Sequence, residues 1–235
     1  MSTLMKYIAS CGLWACSTLV VAGNLIANGD FSAGNSGFGS GYSFAATDDC
    51  MPPGVYDVVL QPVDCHPYWA SFGDHTSGDG QMMAINGADV ASVEVWSETV
   101  SVVPETQYYF STWIASSHPA SPAMLDFSIN GASIGTTFAA STMPGIWQQF
   151  YTSWYSGSST SAQLSLVNQN TALFGNDFAL DDIMFDTIAP VLATDVGSEV
   201  PEPASWPLLA AAIGASLVVG HASAGRRARL AVEAA

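Results

Sequence analysis

Between Tyr7 and Gly225 the chain has no lysine and no arginine; its four basic residues are Lys6 at one end and Arg226, Arg227 and Arg229 at the other. Of its twenty acidic residues only Glu202 and Glu233 lie in the C-terminal tail, so residues 24–200 carry the other eighteen, with three histidines as their only cationic groups. The field around that stretch is negative at neutral pH. Nothing in it pairs with phosphates, which argues against DNA, RNA and nucleotide phosphates unless a cation bridges them. Divalent metals and neutral ligands suit it better. Also lacking are a Gly-x-Ser-x-Gly nucleophile elbow, a His-Glu-x-x-His zinc motif and any amphipathic helical period of useful length. The acids are nevertheless dispersed among aromatic and branched residues, a mixture that buries a core rather than staying disordered.

Cysteine is scarce as well. Cys11 and Cys16 fall in an N-terminal apolar run, leaving Cys50 and Cys65 in the remainder. A disulfide between these two would close a loop of about 15 residues and contribute about 3 kcal/mol in the chain-entropy picture. Two free buried thiols are the alternative, and an export signal, which implies an oxidising compartment, favours the bridge.

Long apolar runs occur only at the two ends. Lys6, the run 8–21 and the small residues Val21-Ala22-Gly23 read as a secretory signal over residues 1–23, with an uncleaved anchor as the alternative. At the other end Pro201-Glu202-Pro203 precedes an apolar segment at 206–224 and the cluster Arg226, Arg227 and Arg229. A helix of that length reaches across a hydrocarbon core of about 30 Å, and the arginines hold its end on the cytoplasmic side. The order of motif, span and basic stop resembles the PEP-CTERM sorting signal of Gram-negative bacteria that make extracellular polysaccharide. That resemblance implies an exosortase, a membrane cysteine peptidase, as processing partner. It also implies passage through the inner membrane, anchoring there by the C-terminal helix, and a final place at the cell surface or outside the cell. The tail runs on through residues 230–235, whereas most such signals stop soon after the arginines; a plain single-pass anchor is the other reading.

Residues 24–186 are expected to form one domain, followed by a spacer at 187–200. Period-two alternation dominates: Leu125, Phe127 and Ile129 alternate with polar residues, and Asn130-Gly131 supplies a hairpin turn. Further strands are expected at 93–103, 107–115, 146–154 and 162–167, and many short strands without helices argue for an all-β antiparallel sandwich. Residues 35–80 are Gly-rich and irregular, the composition of a functional loop. Two segments at opposite ends, Asn24-Leu25-Ile26-Ala27-Asn28-Gly29-Asp30-Phe31 and Asn176-Asp177-Phe178-Ala179-Leu180-Asp181-Asp182-Ile183, resemble the first and last strands of galactose-binding-like jelly rolls, the fold of many carbohydrate-binding modules. The segment 80–88 and the strand from Trp96 extend the likeness. It implies a structural calcium between the first and last strands, held here by Asp30 and Asp182; Ser32 stands where many such modules carry a glutamate.

The acidic pair Asp181-Asp182 breaks the alternation of its strand, which predicts a bulge. Neighbouring residues on a strand face opposite ways, so the pair is poorly placed for acid and base work on one bond and better suited to a hard cation. Asp74 and His75 stand in a Gly-rich loop as ligand contacts or as loop-ordering groups, while His66 and His118 each precede proline and mark turns. Trp96 and Trp113 are expected in the core. Tyr68 and Trp69, just beyond the loop closed by Cys50 and Cys65, are the candidates for stacking on the C–H face of a sugar. The resulting reading is an exported, noncatalytic surface protein that binds glycan or exopolysaccharide. A structural surface protein with no sugar site and a hydrolase are the alternatives.

Overall fold

The structure, a computed structural model, describes residues 23–46 and 49–192. The signal segment, most of the spacer, the 201–229 sorting signal and the 230–235 tail lie outside the described residues. Among the described residues no helix is long and apolar enough to cross a membrane.

The described chain forms β1 (Ser43–Phe44), β2 (Val55–Val59), a one-turn α1 (Pro62–Cys65), β3 (Met82–Asn86), β4 (Glu94–Ser101), β5 (Gln107–Ser116), β6 (Met124–Ile129), β7 (Ala132–Ala139), β8 (Gln148–Tyr155), β9 (Ser161–Asn168) and β10 (Phe178–Asp186). Two sheets result, one of six strands in the order β1-β2-β3-β10-β5-β8 and one of four in the order β4-β9-β6-β7. Every pairing between these strands is antiparallel except that of β1 with β2, which is parallel. Residues 35–80 are thus less irregular than their composition suggests, since they hold two strands and a helical turn.

Alternation explains the four-stranded sheet. Leu125, Phe127 and Ile129 of β6 and Ala162, Leu164 and Leu166 of β9 point inward and meet Phe110, Ile114, Phe178 and Phe185 of the other sheet in one core. Asn130 and Gly131 turn between β6 and β7 with φ of 52° and 75°, the doubly positive pair that a two-residue hairpin requires. In the six-stranded sheet β2 and β3 are covered on both faces. Val58, Met83 and Ile85 face the main core, whereas Val59 and Ala84 pack against Cys50, Cys65 and Trp69. Strands buried twice read as continuous apolar runs, which hides their period.

Three expectations are corrected. Residues 24–31 form turns rather than a first strand, although they lie against β10: Leu25 N–H donates to Phe185 O (2.9 Å) and Ile183 N–H to Gly29 O (2.9 Å). A Cβ on Gly29 would come within 2.1 Å of Ile183 O, so this approach needs glycine. Trp113 is not in the core. It shares parity with Tyr109 and Ser111 on the outer face of β5, opposite Tyr108, Phe110 and Ile114, while Trp96 is buried. The start of the 187–200 spacer is also not free, because Gln149 Nε2 donates to Val191 O (3.3 Å).

The bulge lies at the acidic pair: β10 pairs Asp181 with Trp113 and Met184 with Ser111, one residue more on β10 than on β5, and Asp182 takes φ of 48°. At the far end of β10, Phe178 lies beside Ile85 and Ser116, and Val55 beside Asn86. The loops 49–54, 66–70, 87–93, 117–123 and 169–177 therefore gather at one end of the sandwich.

Candidate functional site

At that end a cleft of about 340 Å³ opens between the disulfide loop and the segment ahead of β10. The Cys50–Cys65 bridge shapes its wall: Cys50 N–H donates to Cys65 O (3.0 Å), and Asn86 Nδ2 donates to Cys50 O (2.6 Å). The chain then turns at His66-Pro67, where Trp69 N–H returns to His66 O (3.0 Å). Pro67 has no N–H to continue α1 and pushes His66 into an extended conformation (φ −139°, ψ 116°), so the helix stops here. Tyr68 and Trp69 consequently separate. Tyr68 is 76% exposed at the rim, whereas Trp69 is 4% exposed and stacks on His66 with centroids 4.8 Å apart.

Phe174, 81% exposed and in the loop between β9 and β10, lines the same cleft as Tyr68. The lining joins the apolar Met51, Pro53 and Leu173 to the polar groups of Asn86, His66, His118 and Asp177. Burial raises the Asp177 carboxyl to about 6, with the Trp69 indole and the Gly87 N–H favouring its charged form. The indole N–H of Trp69 meets no partner at normal hydrogen-bonding geometry, so its effect on Asp177 is an attraction rather than a formed bond. Burial and the neighbouring His118 hold the His66 ring below its ordinary value, against a weaker pull from Asp49.

Asp74 and His75 lie elsewhere. Asp74 accepts N–H bonds from Ser77 (2.9 Å) and Gly80 (2.8 Å), closing the loop on itself, and these outweigh its burial to keep the carboxyl below its usual range. His75 docks on the β10 bulge: its Nδ1 lies 2.6 Å from Asp182 Oδ2, and its ring stacks on Trp113 at 3.8 Å. Its backbone N–H, with that of Thr76, donates to the Asp181 carboxylate (2.8 and 3.1 Å). Burial first and Asp182 second raise Asp181 to about 6. One face of Trp113 is thus covered by His75.

Asp30 and Asp182 do line one groove, of about 490 Å³, walled also by Trp113, Gln149 and Val191. A calcium there would need six to eight oxygen ligands. Asp182 is engaged by His75 and by Thr76 Oγ1 (2.7 Å), and Asp30 Oδ1 accepts from Ser32 Oγ (2.8 Å). No group of three or more His, Cys, Asp or Glu suited to a metal occurs among the described residues. These donors do not fit the ion that the resemblance implied.

Phe174, Asn86, His118 and Asp177 complete the cleft and were not singled out as ligand contacts from sequence. The usable signal was Leu173-Phe174, an apolar pair in a polar loop where no strand period explains it.

No family model and no curated protein matches the chain. Among solved structures it is similar to a family 61 carbohydrate-binding module in complex with β-1,4-galactotriose, at 14% identity over 69% of this chain and 97% of that one, with a TM-score of 0.45. A family 22 xylan-binding domain from Paenibacillus barcinonensis is 12% identical over 66% of this chain and 94% of its own, with a TM-score of 0.39. A Stig cyclase from Fischerella sp. TAU is 10% identical over 70% and 97%, with a TM-score of 0.48. Binding modules and a cyclase stand side by side at this distance, so function has to be argued from this chain's own residues.

Proposed function

We propose that the domain is a noncatalytic glycan-binding module, exported and sorted to the cell surface or matrix, and that it holds a sugar in the loop-end cleft. One observation carries this reading: Tyr68 and Phe174 present exposed rings in one cleft whose lining also holds amide, imidazole and carboxylate groups. Sugars need both kinds of surface, an apolar face for their C–H groups and polar groups for their hydroxyls. The export signal at 1–23, the exosortase-type tail at 201–229 and an exopolysaccharide partner belong to the same proposal, since a module delivered outside the cell meets polysaccharide there.

The hydrolase alternative asks for two carboxyl groups across one bond. Asp181 and Asp182 are instead committed to the His75 loop, and Asp177 is the one carboxylate among the described residues that line the cleft. The test is a polysaccharide pull-down and glycan array with full-length protein in mild detergent. Wild type should be retained by at least one polysaccharide, and Tyr68→Ala and Phe174→Ala should each abolish retention. Retention that survives both substitutions would move the site elsewhere, and no retention on any glycan would leave the structural-protein alternative. The intact mass of protein released from the surface, read in the same preparation, should lack Arg226 to Ala235.

A further inference from the structure

Among the described residues no lysine or arginine answers the charge of Asp177 in the cleft; only the Trp69 indole and the Gly87 N–H favour its charged form. Asp177 is 7% exposed and lines the cavity. No lysine or arginine exists between residues 7 and 225 to pair with it. Burial keeps His66 more readily neutral than an ordinary histidine, so it is a poor counter-ion. A buried carboxylate without a cation is costly, and a ligand that supplies the cation recovers that cost on binding. The walls suit the same ligand, because the exposed faces of Tyr68 and Phe174 attract an ammonium as well as a C–H face. Around the cleft the field is negative everywhere, which concentrates polycations and repels uronates, sulfates and phosphates.

Resting on the glycan reading above, we infer that the cleft selects a glycan bearing free amino groups, a polymer of de-N-acetylated hexosamine, with one ammonium seated on Asp177. The apolar rim takes the ring face of that sugar, and the amine replaces the missing protein cation. An N-acetyl group at the same place would offer a neutral amide and add bulk, forfeiting the charge-assisted bond.

The probes are hexamers of β-1,4-linked glucosamine, N-acetylglucosamine and glucose, titrated calorimetrically into the full-length protein in neutral detergent. Glucosamine hexamer should bind about tenfold or more tighter than either neutral hexamer, the range of a charge-assisted hydrogen bond. Asp177→Asn, which keeps the shape of the side chain, should bring the three within about threefold of one another. Asp79→Asn, an exposed acid in the loop 73–80, should leave the preference intact. An unchanged melting profile identifies variants that still fold. Equal binding of all three hexamers by wild type, each weakened by Tyr68→Ala, would overturn the amine preference and leave the glycan reading standing. A preference lowered equally by Asp79→Asn and Asp177→Asn would assign it to the diffuse field and overturn the seat at Asp177. Failure to bind these hexamers and every polysaccharide on an array would overturn both.

Discussion

Tyr68 and Trp69 are neighbours of similar chemistry with opposite roles, and only the turn at His66-Pro67 decides which ring goes inward. Sequence could name the pair because both directly follow a cysteine-closed loop, yet a turn has no period from which to assign faces. Trp113 failed for the opposite reason: its strand has a period, but with Thr112 and Ser111 also buried the burial pattern does not say which parity meets the core. The two loop residues should separate cleanly by mutation. Tyr68→Ala should change stability by no more than about 0.5 kcal/mol, as expected of an exposed side chain, while removing glycan retention. Trp69→Ala should cost about 3–5 kcal/mol, because it empties the cluster of Cys50, Cys65, Val59 and Ala84. Urea unfolding of both variants measures the difference, and equal destabilisation would mean that Tyr68 is packed in solution.

At the scale of elements, what sequence showed was governed by how many faces each element buries. β6 and β9 alternate cleanly, and the expected spans of β4, β5, β6, β8 and β9 agree with the structure to within about two residues, the usual uncertainty of boundaries. β2 and β3 are sandwiched between the core and the disulfide loop, so their apolar runs carry no alternation to read. β7 has the opposite problem: as an edge strand it is mostly exposed, and Gly135 with φ of 68° interrupts it. The bulge was legible because two acids cannot both follow the parity of β10. Its partner, the loop carrying His75, was not, since that contact spans 107 residues. The disulfide loop is the element on which the proposed site depends. Cys50→Ser should cost about 3 kcal/mol and should weaken glycan retention beyond that loss, because the loop carrying Tyr68 is loosened. Free-thiol labelling of native wild-type protein should find neither cysteine reactive, and reactivity at both would remove the bridge from the account.

For the whole molecule the governing quantity is charge, and its effect on stability has a definite sign. Asp177 and Asp181 are raised from 3.8 to about 6 in the folded protein, chiefly by burial, so folding takes up protons between those values. Their contribution is fully present below about pH 4 and is lost as pH rises through about 6. By linkage the loss is at most roughly 3 kcal/mol for each carboxyl. Glu98, also raised by burial, acts in the same direction. His66 opposes them, since its lowered value withdraws stability as pH falls through 6.5, and Asp74 acts only at lower pH, where its loop loses its bonds. The melting temperature should therefore be higher at pH 4.5 than at pH 7.5. General repulsion among the eighteen acids of residues 24–200 gives the same trend for a different reason, and salt separates the two. Repulsion between exposed carboxylates is screened by 0.5 M sodium chloride, whereas proton uptake at a buried carboxyl persists. The expected result is a pH slope that shrinks in salt without vanishing, and a residual slope that falls again in Asp177→Asn. A slope abolished by salt alone would mean that the Asp177 carboxyl is hydrated at the floor of the cleft, and with it would go the unanswered charge on which the amine preference depends.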